Sequence, residues 1–471
     1  MFTLILFIYF VSFLDKQTTD APALSPRALE QRTKWQIPTD ISDIPVNALY
    51  LDSLRHMGVT VHHTSRWFNG ATCEMDDSLV AQVAALSFVT DIEMTRDDSA
   101  PIYGPKRIPA AQWTAASEPV LCSSPQLQTY NLLPLHDAGY QGQGIVMAIC
   151  DGAFYRANSL SCFRQSQELG HFDFTDDGDD FYGSTGPHGT QCLSAISGIK
   201  EAEYYGAATQ ADYYLMRSEE DAHESPKEMD NLVAALEKAD SLGVNVFSVS
   251  LGYALFDNDN WTLDKYNDLD GVTTRCSRAA TIAARKGMLV CVAAGNEGTS
   301  AWGTISAPCD ADSILTVGAV TVDSIPGSFS SYGPSSDGRT KPEVCAVGVQ
   351  TFLINSYNEV IRSNGTSFAT PLLAGLAASL WSALPDENAM QIRERIIRSA
   401  HLYPNTDPAN KMGYGIPDAW TAYTMTIESD IDPTPTEMPT RKILRGDQIL
   451  IIRHGHIYNL AGQRVDYRWE E

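Results

Sequence analysis

Apolar positions in the middle of the chain follow two rhythms that alternate. Ile145 to Cys150 is a continuous apolar run of strand length. Asn231 to Leu242 repeats apolar residues at helical spacing up to Gly243, and Val244 to Leu251 then reads as a buried strand. The same step from helix to strand recurs in Ala279 to Lys286 and, past Gly287, in Leu289 to Ala294. Strands separated by helical stretches of this length predict an α/β fold, a mostly parallel sheet with helices on both faces. Leu372, Leu373, Leu376, Leu380, Trp381 and Leu384 predict a further helix anchored in the core, with Pro371 expected in its first turn, where a missing N–H is tolerated.

The flanks divide the rest. Phe2 to Leu14 is an uncharged apolar run of thirteen residues, short of the roughly 20 needed to span a bilayer. It suits a signal-peptide core, although no Lys or Arg precedes it and no small-x-small cleavage site follows. Residues 1–20 are therefore expected to be a leader. Residues 21–100 read as a small α+β unit: a helix over Tyr50 to Gly58, a strand over Val59 to His63, a turn at Arg66 to Gly70, a helix over Leu79 to Leu86 and a strand over Phe88 to Met94. Pro, Ser and small residues make 101–120 a linker. A main domain over 121–425 follows, with a short helix over Leu132 to Gly139. Prolines and acids make 426–440 a stiff linker, and 441–471 a β-hairpin tail built on Ile449 to Ile452 and His456 to Leu460.

Composition narrows the function. The 471 residues are 44% apolar and carry a net charge of −25, which argues against nucleic acid or an anionic membrane as partner. Nine cysteines without C-x-x-C pairs make zinc an unlikely guest. Cys150, Cys291 and Cys345 lie in or beside apolar runs and read as small core residues, and Cys192, one helical turn after His188, is expected to pack inward rather than react.

Three stretches carry the chemistry. In Asn364-Gly365-Thr366-Ser367-Phe368-Ala369-Thr370-Pro371 a serine opens a helix, where unpaired N–H groups favour negative charge. Asp151 stands at the C-terminal end of the Ile145–Cys150 strand, and His188 lies at the mouth of a second helix in Gly186-Pro187-His188-Gly189-Thr190. Carboxylate, imidazole and hydroxyl are the parts of an activated serine: the carboxylate holds the ring and the ring takes the hydroxyl proton.

The order of these residues, together with Ser250-Leu251-Gly252, Ala293-Ala294-Gly295-Asn296, Phe329-Ser330-Ser331 with Gly333, and Lys341-Pro342-Glu343, resembles the subtilisin-like serine peptidases over roughly residues 140 to 420. The resemblance implies a subtilisin-like sheet and catalysis by Asp151, His188 and Ser367. It also implies Asn296 as a side-chain oxyanion donor and Ser250, Leu251 and Gly252 as the edge that pairs with extended substrate. It makes the 21–100 unit propeptide-like, an intramolecular inhibitor of an exported precursor that acts on polypeptides and has no integral membrane segment once mature. No cofactor is required. Calcium is the one ion that the resemblance suggests, for the acidic stretches Asp173 to Asp180 and Asp257 to Asp270. The alternative reading is a non-catalytic binding or scaffold protein on a peptidase fold.

Overall fold

The computed structural model describes residues 7–17, 20–97, 114–115, 123–175, 178, 180–183, 186–220, 224–406 and 411–426, and in the C-terminal region 441–445, 448–453 and 456–458. The expected linkers at 101–120 and 426–440 lie largely or wholly outside them.

The N-terminal part is a four-stranded antiparallel sheet in the order β2-β3-β1-β4, with β1 Phe7–Phe13, β2 Thr60–Ser65, β3 Gly70–Met75 and β4 Val89–Asp97. Helices α1 Pro26–Lys34, α2 Ala48–His56 and α3 Asp77–Ala84 accompany it. The apolar run expected to be a removable leader is thus corrected: Phe7–Phe13 is an inner strand of this sheet. Its uniform apolarity has a structural cause, because both of its faces are covered. Tyr9, Val11 and Phe13 enter the N-terminal core with Leu54, Cys73 and Val83. On the other face Phe10 is buried, and the Arg275 guanidinium lies over its ring at 3.9 Å.

The larger part begins with a short strand β5, Thr114–Ala115, and helices α4 Ser124–Gln128 and α5 Leu133–Asp137. Its strands continue as β6 Val146–Asp151, β7 Glu168–Asp173, β8 Ile199–Lys200, β9 Tyr204–Tyr205, β10 Asp212–Arg217, β11 Val246–Val249, β12 Leu289–Ala293, β13 Leu315–Val320, β14 Val344–Val347, β15 Thr351–Ile354 and β16 Val360–Ser363. Seven of them form one sheet in the order β14-β13-β12-β11-β6-β10-β7, with every pairing parallel. The remaining strands are peripheral: β8 pairs with β9, and β15-β16-β5 make a small antiparallel sheet.

Helices cover both faces. On β6, Met147 and Ile149 join the cluster that holds α6 His188–Ser197 and α9 Thr366–Ala383, with Leu193, Leu372 and Leu376. Val146, Ala148 and Cys150 join the opposite cluster with α7 Lys227–Leu242 and α8 Arg275–Arg285, through Leu232, Leu236 and Ala280. That is why Ile145 to Cys150 reads as a continuous apolar run and not as an alternation. Helices α10 Ala389–Arg398 and α11 Ala419–Thr424 complete the part.

The two parts meet on α7. The Glu237 carboxylate accepts hydrogen bonds from Ser65 Oγ at 2.5 Å, Arg66 N at 2.9 Å and Trp67 N at 3.2 Å. Asp240 receives Arg32 at 2.7 Å and Arg66 at 2.6 Å. Arg275 joins Glu93 to Asp230, Lys286 reaches Asp43 at 2.7 Å, and Arg96 reaches Glu220 at 2.7 Å.

Residues Met425–Glu471 form a separate unit. Its described strands, Arg441–Arg445, Gln448–Arg453 and His456–Tyr458, pair antiparallel in that order. The expected hairpin is therefore the second half of a three-stranded sheet.

The eight described cysteines are all buried thiols. Burial pushes Cys73, Cys276, Cys309 and Cys345 up to about 12, well away from thiolate reactivity. Among the described residues no helix is long and apolar enough to cross a membrane.

Candidate active site

Strand β6 is where the parallel sheet changes direction. The chain adds β7 and β10 on one side of it, and β11 through β14 on the other. Such a reversal leaves a crevice outside the C-terminal strand ends. Asp151 is the last residue of β6, paired in register with Arg217 at the end of β10, while Ser250 follows directly on β11.

Asp151 is 1% exposed and faces the ring of His188, the first residue of α6, with Nδ1 2.8 Å from Oδ1 and 2.9 Å from Oδ2. Its Oδ1 also accepts the Gly152 N–H at 2.8 Å. The contact fixes which face of the imidazole meets the carboxylate and leaves Nε2 for another partner. Burial works against a charged ring here. The Asp151 carboxylate outweighs it, helped by Cys192, and lifts the His188 pKa well above its ordinary value.

Ser367 is the second residue of α9, so its N–H belongs to the first-turn donors that no helical carbonyl satisfies. Pro371 is the sixth helical residue, which corrects the expectation of a first-turn position. A proline there has no N–H for the carbonyl four residues back. That carbonyl belongs to Ser367, and it accepts instead from Ser250 Oγ at 2.9 Å and from Cys192 Sγ at 3.3 Å. Ser367 Oγ donates to the Ser250 carbonyl at 3.2 Å. Among the described residues no hydrogen bond joins Ser367 Oγ to His188. His188 and Phe368, the neighbour of Ser367, have ring centroids 5.4 Å apart.

Asn296 follows β12. Its Oδ1 accepts from Thr366 N at 2.9 Å and Thr366 Oγ1 at 3.0 Å, and Thr366 Oγ1 in turn accepts from Gly295 N at 3.2 Å. With Oδ1 occupied twice, the amide is oriented and its Nδ2 is the group left to donate. The sequence alone does not reveal Thr366 as the residue that sets this orientation.

Of the expected substrate edge, Leu251 is half-buried and Gly252 exposed. A Cβ on Gly252 would lie 2.3 Å from Ser306 Oγ, so glycine lets this segment pack against Ser306. Tyr253 then pairs with Ala307.

The acidic stretches expected to suit calcium make local contacts among the described residues. Asp173 accepts from Thr175 and pairs with Arg217 at 3.4 Å, and Asp264 and Asp270 accept from backbone N–H groups two or three residues on. Among the described residues neither stretch brings three ligand groups within reach of a common ion; Asp176, Asp177 and Asp179 lie outside the described residues. A cluster that does converge was not anticipated: Glu219, Glu224 and Glu228 bring carboxylate oxygens within 4.8 Å of one another. The signal available for it was a Glu-Glu pair one residue beyond a strand.

An all-parallel sheet with helices on both faces, and Asp, His and Ser gathered from β6, α6 and α9 at one edge, defines the subtilisin-like class of fold. The chain belongs to the subtilase family, whose model matches residues 109–415, and residues 8–108 match a peptidase S8 propeptide domain of the Bacteroidota. It is 27% identical to serine protease AprX of Bacillus subtilis over 59% of this chain and 66% of that protein. It is 33% identical to subtilisin DY of Bacillus licheniformis over 36% of this chain and 54% of that protein. The chain therefore spans somewhat less than two thirds of the first relative and about half of the second. Among solved structures, a prenylagaramide maturation protease, PagA, superposes with a TM-score of 0.50 at 22% identity, over 62% of this chain and 98% of that one, a likeness of fold.

Proposed function

We propose that the chain is the precursor of an exported serine endopeptidase, in which Ser367 attacks the scissile carbonyl, His188 takes the hydroxyl proton and returns it to the leaving amine, and Asp151 holds the ring. The observation that carries this reading is the double contact of Asp151 with His188 Nδ1 at 2.8 and 2.9 Å beside a serine at a helix N-terminus. A raised pKa makes His188 a stronger base. Rotation of Ser367 Oγ away from the Ser250 carbonyl brings it into use, a tightening common when substrate binds. The negative oxygen of the tetrahedral intermediate is met by Asn296 Nδ2 and the Ser367 N–H, reinforced by the dipole of α9. Ser250, Leu251 and Gly252 offer backbone to an extended polypeptide. Water, deprotonated in turn by His188, then hydrolyses the acyl ester on Ser367, releases the carboxylic acid and restores the hydroxyl.

The N-terminal domain acts as the intramolecular inhibitor and is removed on maturation. Its grip on α7 through Glu237 and Asp240 supports this. Intact mass of wild type and Ser367→Ala after exposure to a fluorophosphonate tests the reading. One adduct on the wild type alone, on a species shortened by the N-terminal domain, is expected. No adduct on a shortened, folded wild type would sink it in favour of a non-catalytic scaffold.

A further inference from the structure

Helix α1 belongs to the N-terminal domain in sequence and to the peptidase part in its contacts. It lies between β1 and α2 in the chain, yet none of its residues enters the core that the four-stranded sheet shares with α2 and α3. Its two buried residues are Ala28 and Arg32. Arg32 pairs with Asp240 of α7 at 2.7 Å as well as with Asp43 of its own domain at 3.3 Å. Ala28 N would lie 2.8 Å from a Cβ on Gly243, which closes α7 at a φ of +76°. Glycine is needed there twice, for the left-handed turn and for the close approach of α1.

The chain entering α1 caps the end of α7. Ser25 N donates to Ser241 O at 2.8 Å and Arg27 Nε to Gly243 O at 3.0 Å, so a guanidinium stands where the helix dipole favours positive charge. Arg27 Nη2 also donates to Asn245 Oδ1 at 2.7 Å. Three strands start around Asn245. Its Oδ1 accepts from Val146 N at 3.0 Å, its N–H donates to Val146 O at 2.8 Å, and its carbonyl accepts from Leu289 N at 2.8 Å. Val146 and Leu289 open β6 and β12, and Asn245 directly precedes β11. Further along, a Cβ on Gly287 would lie 2.8 Å from Ile37 Cδ1, and Lys34 Nζ donates to Pro385 O at 2.6 Å beyond the end of α9. These contacts gather at the N-terminal edge of the parallel sheet. Asp151 ends β6 at the opposite edge, roughly 17 Å from Val146 at the usual rise of a parallel strand.

We propose that residues 25–37 are a second clamp, which keeps the N-terminal domain on the peptidase after the chain joining them has been hydrolysed. The time of release is then set at the sheet edge remote from the catalytic residues. Hydrolysis yields a closed complex first, and a free enzyme only when Arg27 lets go of Gly243 and Asn245. The inference rests on the peptidase reading and on removal of the domain.

The test follows full-length wild type and Arg27→Ala/Lys34→Ala through self-processing. Denaturing intact mass times the cut, native mass times departure of the cut domain, and a fluorophosphonate added at intervals counts open active sites. The expected result is an equal rate of cutting, with the domain leaving and the adduct appearing about ten- to a hundredfold sooner in the double variant. Arg27→Lys, which keeps the charge without the planar fork, is expected to fall between them. Departure at the wild-type rate in the double variant overturns the clamp and leaves the peptidase standing, as does a wild-type domain that leaves in the same step as the cut. If the double variant does not fold, Arg27→Lys decides, and release from it at the wild-type rate overturns the clamp. Absence of both cut and adduct in folded wild type fails the peptidase reading itself and takes the clamp with it.

Discussion

Pro371 lies four residues beyond Ser367 in α9 and gives no N–H back to it, so the Ser367 carbonyl is held by Ser250 Oγ and Cys192 Sγ. One missing hydrogen bond within the helix becomes two that tie the start of α9 to β11 and α6. Replacing Pro371 with alanine restores an N–H that competes for this carbonyl. We expect Pro371→Ala to keep or raise thermal stability, since proline is the poorest interior helix residue, yet to lower kcat about tenfold, the scale of one lost positioning hydrogen bond. Unfolding curves and active-site-titrated kinetics measure both; an unchanged kcat would contradict the positioning role.

The imidazole must be neutral to accept a proton. Because Asp151 lifts its pKa above the ordinary value of about 6.5, the acid limb of kcat/KM is expected above that value. In Asp151→Asn the main upward pull is gone and burial is opposed chiefly by Cys192, so the limb moves to lower pH while kcat falls about ten-thousandfold. A pH–rate profile of both proteins reads this.

The same pair affects stability with a defined sign. A folded pKa above the unfolded one stabilises the protein fully below about pH 6.5, and that contribution is lost as pH rises through the folded value. Ser367→Ala protein, which cannot digest itself, should therefore lose stability on the alkaline side of neutrality, and Ser367→Ala/Asp151→Asn should lose less. Thermal unfolding across pH separates the two.

Asn296 is oriented by Thr366, so two substitutions should act alike to different degrees. Asn296→Ala is expected to lower kcat by about a hundred- to a thousandfold with KM little changed, the range established for the equivalent donor in a subtilisin. Thr366→Val, which removes Oγ1 but leaves the backbone donor to Asn296, should produce a smaller loss. Equal losses would mean that Thr366 does more than orient the amide.

Glu237 accepts three hydrogen bonds from the N-terminal part among the described residues. Glu237→Ala leaves Arg66 N and Trp67 N without acceptors and Arg66 beside one carboxylate fewer, and removing one partner of a buried pair costs about 3–5 kcal/mol. The precursor should release its N-terminal domain sooner, as followed by intact mass during maturation. An unaltered time course would shift the hold to Arg275 and Arg96.

The parallel sheet and its helices were legible because hydrophobic periodicity reports burial directly. Val246–Val249, Leu289–Ala293 and their preceding helices appear where the apolar pattern put them. Asp151, His188, Asn296 and Ser367 were singled out because their short motifs, in that chain order, resemble those of the subtilisin-like peptidases. What escaped was set by tertiary contact. Phe7–Phe13 is apolar on both faces because the peptidase part covers one of them, which a leader's apolar core imitates in sequence. Gly70–Met75 pairs with β2 across a turn at Asn69, whose φ is +49°, but its mixed polar residues hide its place inside the sheet. Pro371 was misplaced within its helix because the two residues after Gly365 already belong to α9. The Glu219, Glu224 and Glu228 cluster depends on tertiary placement of the end of β10 beside α7.

The position of β1 between β3 and β4 imposes an order on synthesis. β1 leaves the ribosome before both of its partners and cannot pair fully until β4, ending at Asp97, has followed it. Everything the N-terminal domain contributes to the docking surface, from Phe10 and Arg27 to Arg96, is made before Asp151, and long before Ser367. On the proposed reading the chain thus makes its inhibitor before the part to be inhibited, and the domain docked on α7 precedes Ser367 throughout vectorial synthesis.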